Sequence, residues 1–189
     1  MRVLRIVSLL ALMVACWALP RDVQAGVFEF GTSFSFGKTT YSDSGEDFSW
    51  TRRFSGSIGY HFTSTSGIEF AYQLATNRTF IRNYQDTTFE DQIFSLDWIQ
   101  SFMPRGSAFQ PYVKLGMGQL NRKSSGSYAG GSSPPREVLA LTIIMAAGIK
   151  VYLTQQFALK LEAASYLAKG SLRTFDDNFN ISVGTSIFF

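Results

Sequence analysis

Cysteine is almost missing from this chain: Cys16 is the only one among 189 residues. It lies within the first twenty-five residues, so a chain trimmed after Ala25 would have none, which excludes disulfide staples and thiolate metal sites. Histidine is as scarce. His61 stands alone, and no cluster of ligands for a metal ion is present. Long apolar runs are missing too, for no segment after residue 25 offers the roughly 20 residues a spanning helix needs. Nor does one sign of charge dominate. Of 17 basic and 14 acidic residues, Arg2, Arg5, Arg21 and Asp22 fall in the leader, and the remaining balance is nearly neutral. Nucleic acid is therefore not an expected partner.

The leader itself is readable. Arg2 and Arg5 precede an apolar run from Ile6 to about Leu19, and Val23-Gln24-Ala25 forms a small-residue cleavage site before Gly26. This pattern predicts a secretory signal peptide over residues 1–25, with one domain over 26–189. Cys16 after Met13-Val14-Ala15 also invites a lipoprotein reading, but Met13 fits that signal poorly.

From Gly26 onward the hydrophobic period is two rather than 3.6. Strands are expected at 27–37, 47–62, 67–76, 90–102, 109–120, 137–153, 157–167 and 178–189. Each carries an apolar parity, such as Phe28, Phe30, Phe34 and Phe36, opposite small or polar residues such as Gly31, Ser33 and Ser35. "VLALTIIMAAGIKVYL" could pass for a helix, but its β-branched content and Gly148 favour a strand. Three connections are tight, at 63–66, 103–108 and 154–156; four are long and polar, at about 38–46, 77–89, 121–136 and 168–176. Gly and Ser in the third of these predict mobility. Even strand number and alternating loop length predict an all-β, eight-stranded antiparallel up-and-down transmembrane barrel with short periplasmic turns and longer extracellular loops.

The alternation also decides which face is outside. A soluble barrel would put charge on its surface, whereas the polar parity here is mainly Ser, Gly, Ala and Thr, sizes suited to the crowded lumen of eight strands. The apolar parity is expected to face lipid. Phe48 and Trp50 are candidates for the outer aromatic girdle, and Tyr60, Phe62, Trp98, Phe102, Phe109, Phe188 and Phe189 for the periplasmic one.

Leader, strands, loop asymmetry and the final Phe189 together resemble the small eight-stranded outer-membrane barrels, the OmpA-like transmembrane domain and its OmpX, OmpW and opacity-protein relatives. The resemblance is architectural and covers the whole chain after the leader. It implies residence in the outer membrane of a Gram-negative cell as a monomer, among its lipids and lipopolysaccharide. It also implies that a last strand ending in Phe189 is similar to the signal read by the barrel-assembly machinery.

Glu29, His61, Glu69, Asp97, Lys114, Lys150, Lys160 and Glu162 fall on the inward parity. Opposite charges on neighbouring strands can neutralise one another, so a compensated polar plug is expected; a narrow path for ions or small hydrophobic solutes is the alternative. Arg52, Arg78, Arg82, Arg122, Lys123, Arg136, Lys169 and Arg173 lie at the loops or rim, placed to meet lipopolysaccharide phosphates or an extracellular ligand. Two lipid A-modifying barrel families, a deacylase and a palmitoyl transferase, bear on catalysis by their use of a histidine. His61 is on the wrong face and at the wrong end for either chemistry. No enzyme activity, cofactor or metal is expected.

Overall fold

The computed structural model describes residues 26–40, 47–81, 85–105, 107–128, 131–168 and 179–189. The expected signal peptide, Cys16, Arg82, Lys169 and Arg173 lie outside these residues. The described chain forms β1 (Val27–Thr40), β2 (Phe48–His61), β3 (Ser66–Ile81), β4 (Gln85–Ser101), β5 (Phe109–Tyr128), β6 (Gly131–Tyr152), β7 (Phe157–Ala168) and β8 (Phe179–Phe188). Each strand pairs antiparallel with its neighbour in sequence, and β8 returns to β1, so the sheet is a closed barrel. The closing seam runs from Glu29↔Phe188 to Phe34↔Val183. Two further backbone bonds, Phe28 N to Phe189 O at 3.1 Å and Phe189 N to Phe28 O at 2.9 Å, carry it to the end of the chain.

Tight turns form where hydroxyl side chains can hold the backbone. Thr63 Oγ1 accepts from Ser66 N at 2.7 Å, and Thr154 Oγ1 accepts from Phe157 N at 3.0 Å, each side chain substituting for a backbone acceptor in the turn.

The apolar parity points outward on every strand. Leu96 and Met117, opposite each other on β4 and β5, are 57% and 65% exposed. A water-soluble surface would not present such a continuous band of Phe, Leu, Ile and Met. Two residues depart from the expected pattern. Leu167 shares the outward parity of β7 but is buried. Phe188, expected in the periplasmic girdle, instead points into the lumen and is 3% exposed. The cause is parity. Ile187 takes the lipid side, so Phe188 turns inward and, of the two terminal rings, only Phe189 can face outward.

The loops also differ from expectation. The segments expected as connections near 77–89 and 121–136 are largely strand: Arg78 pairs with Thr88, Thr87 with Gly126, and Ser127 with Ser132. Their residues are mostly polar, and the few apolar ones, Phe80, Ile81 and Phe89, fall on both parities, so the hydrophobic period vanishes although the backbone ladder continues. Mobility of the 121–136 segment is thus not what the paired backbone of 121–128 and 131–136 presents. Pro134 and Pro135 face Ser125 at the register shift between the pairs Ser124↔Arg136 and Gly126↔Ser133, a bulge where a missing N–H costs the ladder least.

A charge on the outward face near mid-span tests this orientation. Leu96→Arg should destabilise the folded barrel by about 2–4 kcal/mol, read from denaturant unfolding in lipid vesicles; a loss well under 1 kcal/mol would mean that Leu96 does not face hydrocarbon.

Candidate functional site: the lumen and the extracellular rim

Inward side chains stack in four levels along the barrel. At the periplasmic level Glu29 is fully buried among donors from three strands. His61 Nε2 lies 2.6 Å from its Oε2, Lys150 Nζ donates to the same oxygen at 2.6 Å, and Ser186 Oγ donates to Oε1 at 2.7 Å. Phe188 floors this level. Its ring lies 5.3 Å from that of Tyr152 and 6.2 Å from that of His61, with Lys150 Nζ at 5.4 Å and the Arg105 guanidinium at 5.8 Å.

The second level centres on Lys114. Its Nζ lies 3.0 Å from Glu69 Oε1, 3.0 Å from Glu162 Oε2 and 4.0 Å from Asp97 Oδ2. Tyr112 donates to Glu162 at 2.7 Å, Ser57 to Glu69 at 3.1 Å and Ser95 to Asp97 at 3.1 Å. Gly148 makes room for this arrangement: a Cβ there would fall 2.6 Å from the Tyr112 hydroxyl. Lys160 is buried in the same region, and among the described residues it has no carboxylate within 4.0 Å. The lumen network thus joins Glu29 with His61 and Lys150, and Lys114 with Glu69, Asp97 and Glu162, while Lys160 stands between the two groups. The enclosed space left beside Lys114 and Lys160 is about 20 Å³, little more than one water can occupy.

Sequence reasoning misses the third level. Ile93, Leu120, Ile144, Ala146, Ala164 and Tyr166 form a buried cluster inside the barrel. Their inward parity is visible in the sequence, but a lumen reads as a polar compartment. The fourth level opens outward as a vestibule of about 370 Å³ lined by Arg53, Asp91, Arg122 and Asn180, among others. Arg122 makes a two-pronged pair with Asp91, Nε to Oδ1 at 2.6 Å and Nη2 to Oδ2 at 2.7 Å. Arg53 is 9% exposed, with its guanidinium 4.3 Å from the Tyr166 ring centre. It too escapes the sequence reading, although it shares the inward parity of β2.

At the rim the remaining cations differ in commitment. Arg78 donates to Asp86 through Nε at 3.0 Å and Nη2 at 2.7 Å, and these bonds hold the Asp86 carboxyl below the usual carboxylate range. Arg52 points outward and stacks over Trp50, 5.2 Å from the ring centre. Lys123 and Arg136 are exposed at the extracellular end of β5 and β6.

Among the described residues no arrangement resembles a nucleophile and its base. In a serine triad the histidine stands between the serine and the acid. Here Glu29 stands between Ser186 and His61.

The same architecture is found among known proteins. Residues 7–186 match the family described as "Outer membrane protein beta-barrel domain". No curated protein matches. Among solved structures, OprG of Pseudomonas aeruginosa is similar at 14% identity and a TM-score of 0.58, covering 90% of this chain and 99% of that one. The N-terminal barrel domain of OprF from the same organism is 21% identical with a TM-score of 0.54, covering 89% and 100%. Ail of Yersinia pestis is 13% identical with a TM-score of 0.51, covering 87% and 97%. At such identities these likenesses speak to the fold.

Removing the hub of the second level has a defined cost. Lys114→Met leaves Glu69 and Glu162 without their shared cation in a dry lumen and should cost about 3–5 kcal/mol. The exposed pair behaves otherwise, and Arg78→Ala should cost less than about 1 kcal/mol. Equal costs in denaturant unfolding would show that the lumen is wet enough to screen its charges.

Proposed function

The chain belongs to the outer membrane β-barrel protein family and resides in the outer membrane, and from that premise we propose that it is a non-enzymatic barrel that acts through its extracellular face while its lumen stays plugged. The observation that carries this reading is the continuation of β3 to β6 past the apolar band. Arg78↔Thr88, Gln85↔Tyr128 and Ser127↔Ser132 extend the sheet as a paired platform rather than as loose loops. A paired platform presents side chains in fixed positions, which lowers the ordering cost of binding.

Exposed Lys123 and Arg136 supply cationic contacts on this platform. Arg52, stacked on Trp50 at the outer girdle, suits the phosphates of lipopolysaccharide. Phe189, paired to Phe28 at the closing seam, is the residue we assign to recognition by the barrel-assembly machinery. We take it to act as a monomer, a reading supported by closure of the sheet, which leaves its transmembrane strands no free edge for pairing with a second copy. The order Ser186–Glu29–His61 supports the non-enzymatic reading, as does the depth of all three in the lumen. A narrow conduit is the second reading, favoured by the open vestibule, and the apolar and charged levels beneath it argue against it.

The platform can be removed without touching the barrel. Intact protein and a variant with tight turns replacing residues 79–88 and 124–136, both in lipopolysaccharide-containing membranes, are to be screened against extracellular polysaccharides and surface proteins. Binding confined to the intact protein is expected. Ligands retained at full affinity by the shortened variant would contradict the proposal.

A further inference from the structure

We propose that the extracellular half of the lumen binds a small free anion bearing a carboxylate or phosphate group, with Arg53 as its principal ligand. Arg53 lies on the inward parity of β2, between Ser35 of β1 and Ala75 of β3. The residue is only 9% exposed, yet Nε and Nη1 are buried with no hydrogen-bond partner. A buried cation with unmet donors is unstable unless something else compensates it. The Tyr166 ring, 4.3 Å from the guanidinium, holds one face but accepts no N–H in the plane. Tyr166 is itself fixed by Gln73, whose Nε2 donates to its hydroxyl at 2.8 Å.

The neighbouring carboxylate is taken. Asp91 has one oxygen 2.6 Å and the other 2.7 Å from the Arg122 guanidinium, and among the described residues no acid lies within 4.0 Å of Arg53. Around these three charges the vestibule wall is uncharged, polar at Ser49, Thr51 and Asn180 and apolar at Phe36, Phe179 and Ile181. Two cations against one carboxylate leave one positive charge for about 370 Å³ of open space. That space holds about a dozen waters at ~30 Å³ each, so a small anion can enter with part of its hydration and accept from the idle donors. Below it the cluster of Ile93, Leu120 and Ile144 ends the path, which makes the vestibule a site with a floor.

The test uses the folded full chain in detergent micelles without lipopolysaccharide, titrated calorimetrically with inorganic phosphate and, separately, with acetate. Saturable binding is expected for the native protein. Arg53→Gln should weaken it by at least about tenfold, the loss of one charge-assisted contact, while Arg105→Gln, the same change of charge at the periplasmic end beside Phe188, should leave it unchanged. Asp91→Asn frees Arg122 as a second cation and should tighten binding about threefold or more, a gain that does not depend on how Arg53→Gln folds. Absence of saturable binding in the native protein, equal loss in Arg105→Gln, or no tightening in Asp91→Asn would each overturn the proposal.

Discussion

Everything in this molecule depends on the backbone hydrogen bonds between β1 and β8. In hydrocarbon an unpaired N–H or C=O has no water to turn to, so a sheet can span only if it has no edge. The register Glu29↔Phe188 to Phe34↔Val183 supplies that last pairing. Once it is made, every strand is committed to one direction and every side chain to one of two solvents. The outward parity can then be uniformly apolar, and the inward parity must fit a space that eight strands leave narrow.

The narrow lumen explains why its charges are shared rather than paired one to one. Four carboxylates, Glu29, Glu69, Asp97 and Glu162, are buried with three lysines and His61. Single ion pairs seldom repay the desolvation of both partners. Lys114 is instead shared among three acids, and Glu29 takes three donors, so each of these buried hubs meets several partners at short range. Tyr112, Ser57, Ser95 and Ser186 occupy lone pairs that the cations leave open. Above this, an apolar level built on Ile93 and Ile144 keeps water from the charged one. Sealing therefore comes from two different materials in series, and the polar vestibule begins only beyond them.

Much of this is legible in the sequence because contrast between lipid and lumen writes a period of two into every crossing. Phe28 to Phe36 at the start of the barrel and Phe179 to Phe189 at its end can be assigned to faces from spelling alone. Legibility fails where the contrast fails. Beyond the membrane both faces of a strand meet water, so Arg78, Thr87 and Ser127 sit in paired strands that carry no hydrophobic signal. Phe188 is misassigned for a different reason. Its aromatic character suggests the girdle, while its parity, shared with Ser186 and Ser182, already points inward. Arg53 and the Ile93 level are visible by the same rule but are hidden by the expectation that a barrel interior is neutral or polar. Which lysine serves which acid is not legible at all, since Lys114 reaches Glu69 on β3 and Glu162 on β7 across the lumen at shorter range than Asp97 on the adjoining β4.

The central claim, that charged and apolar levels in series close the lumen, is tested most directly by single-channel recording in planar lipid bilayers. A closed lumen predicts no sustained open level of reproducible size for the native protein across a range of voltages. A stable, single-sized open state carrying current for most of the recording would contradict it.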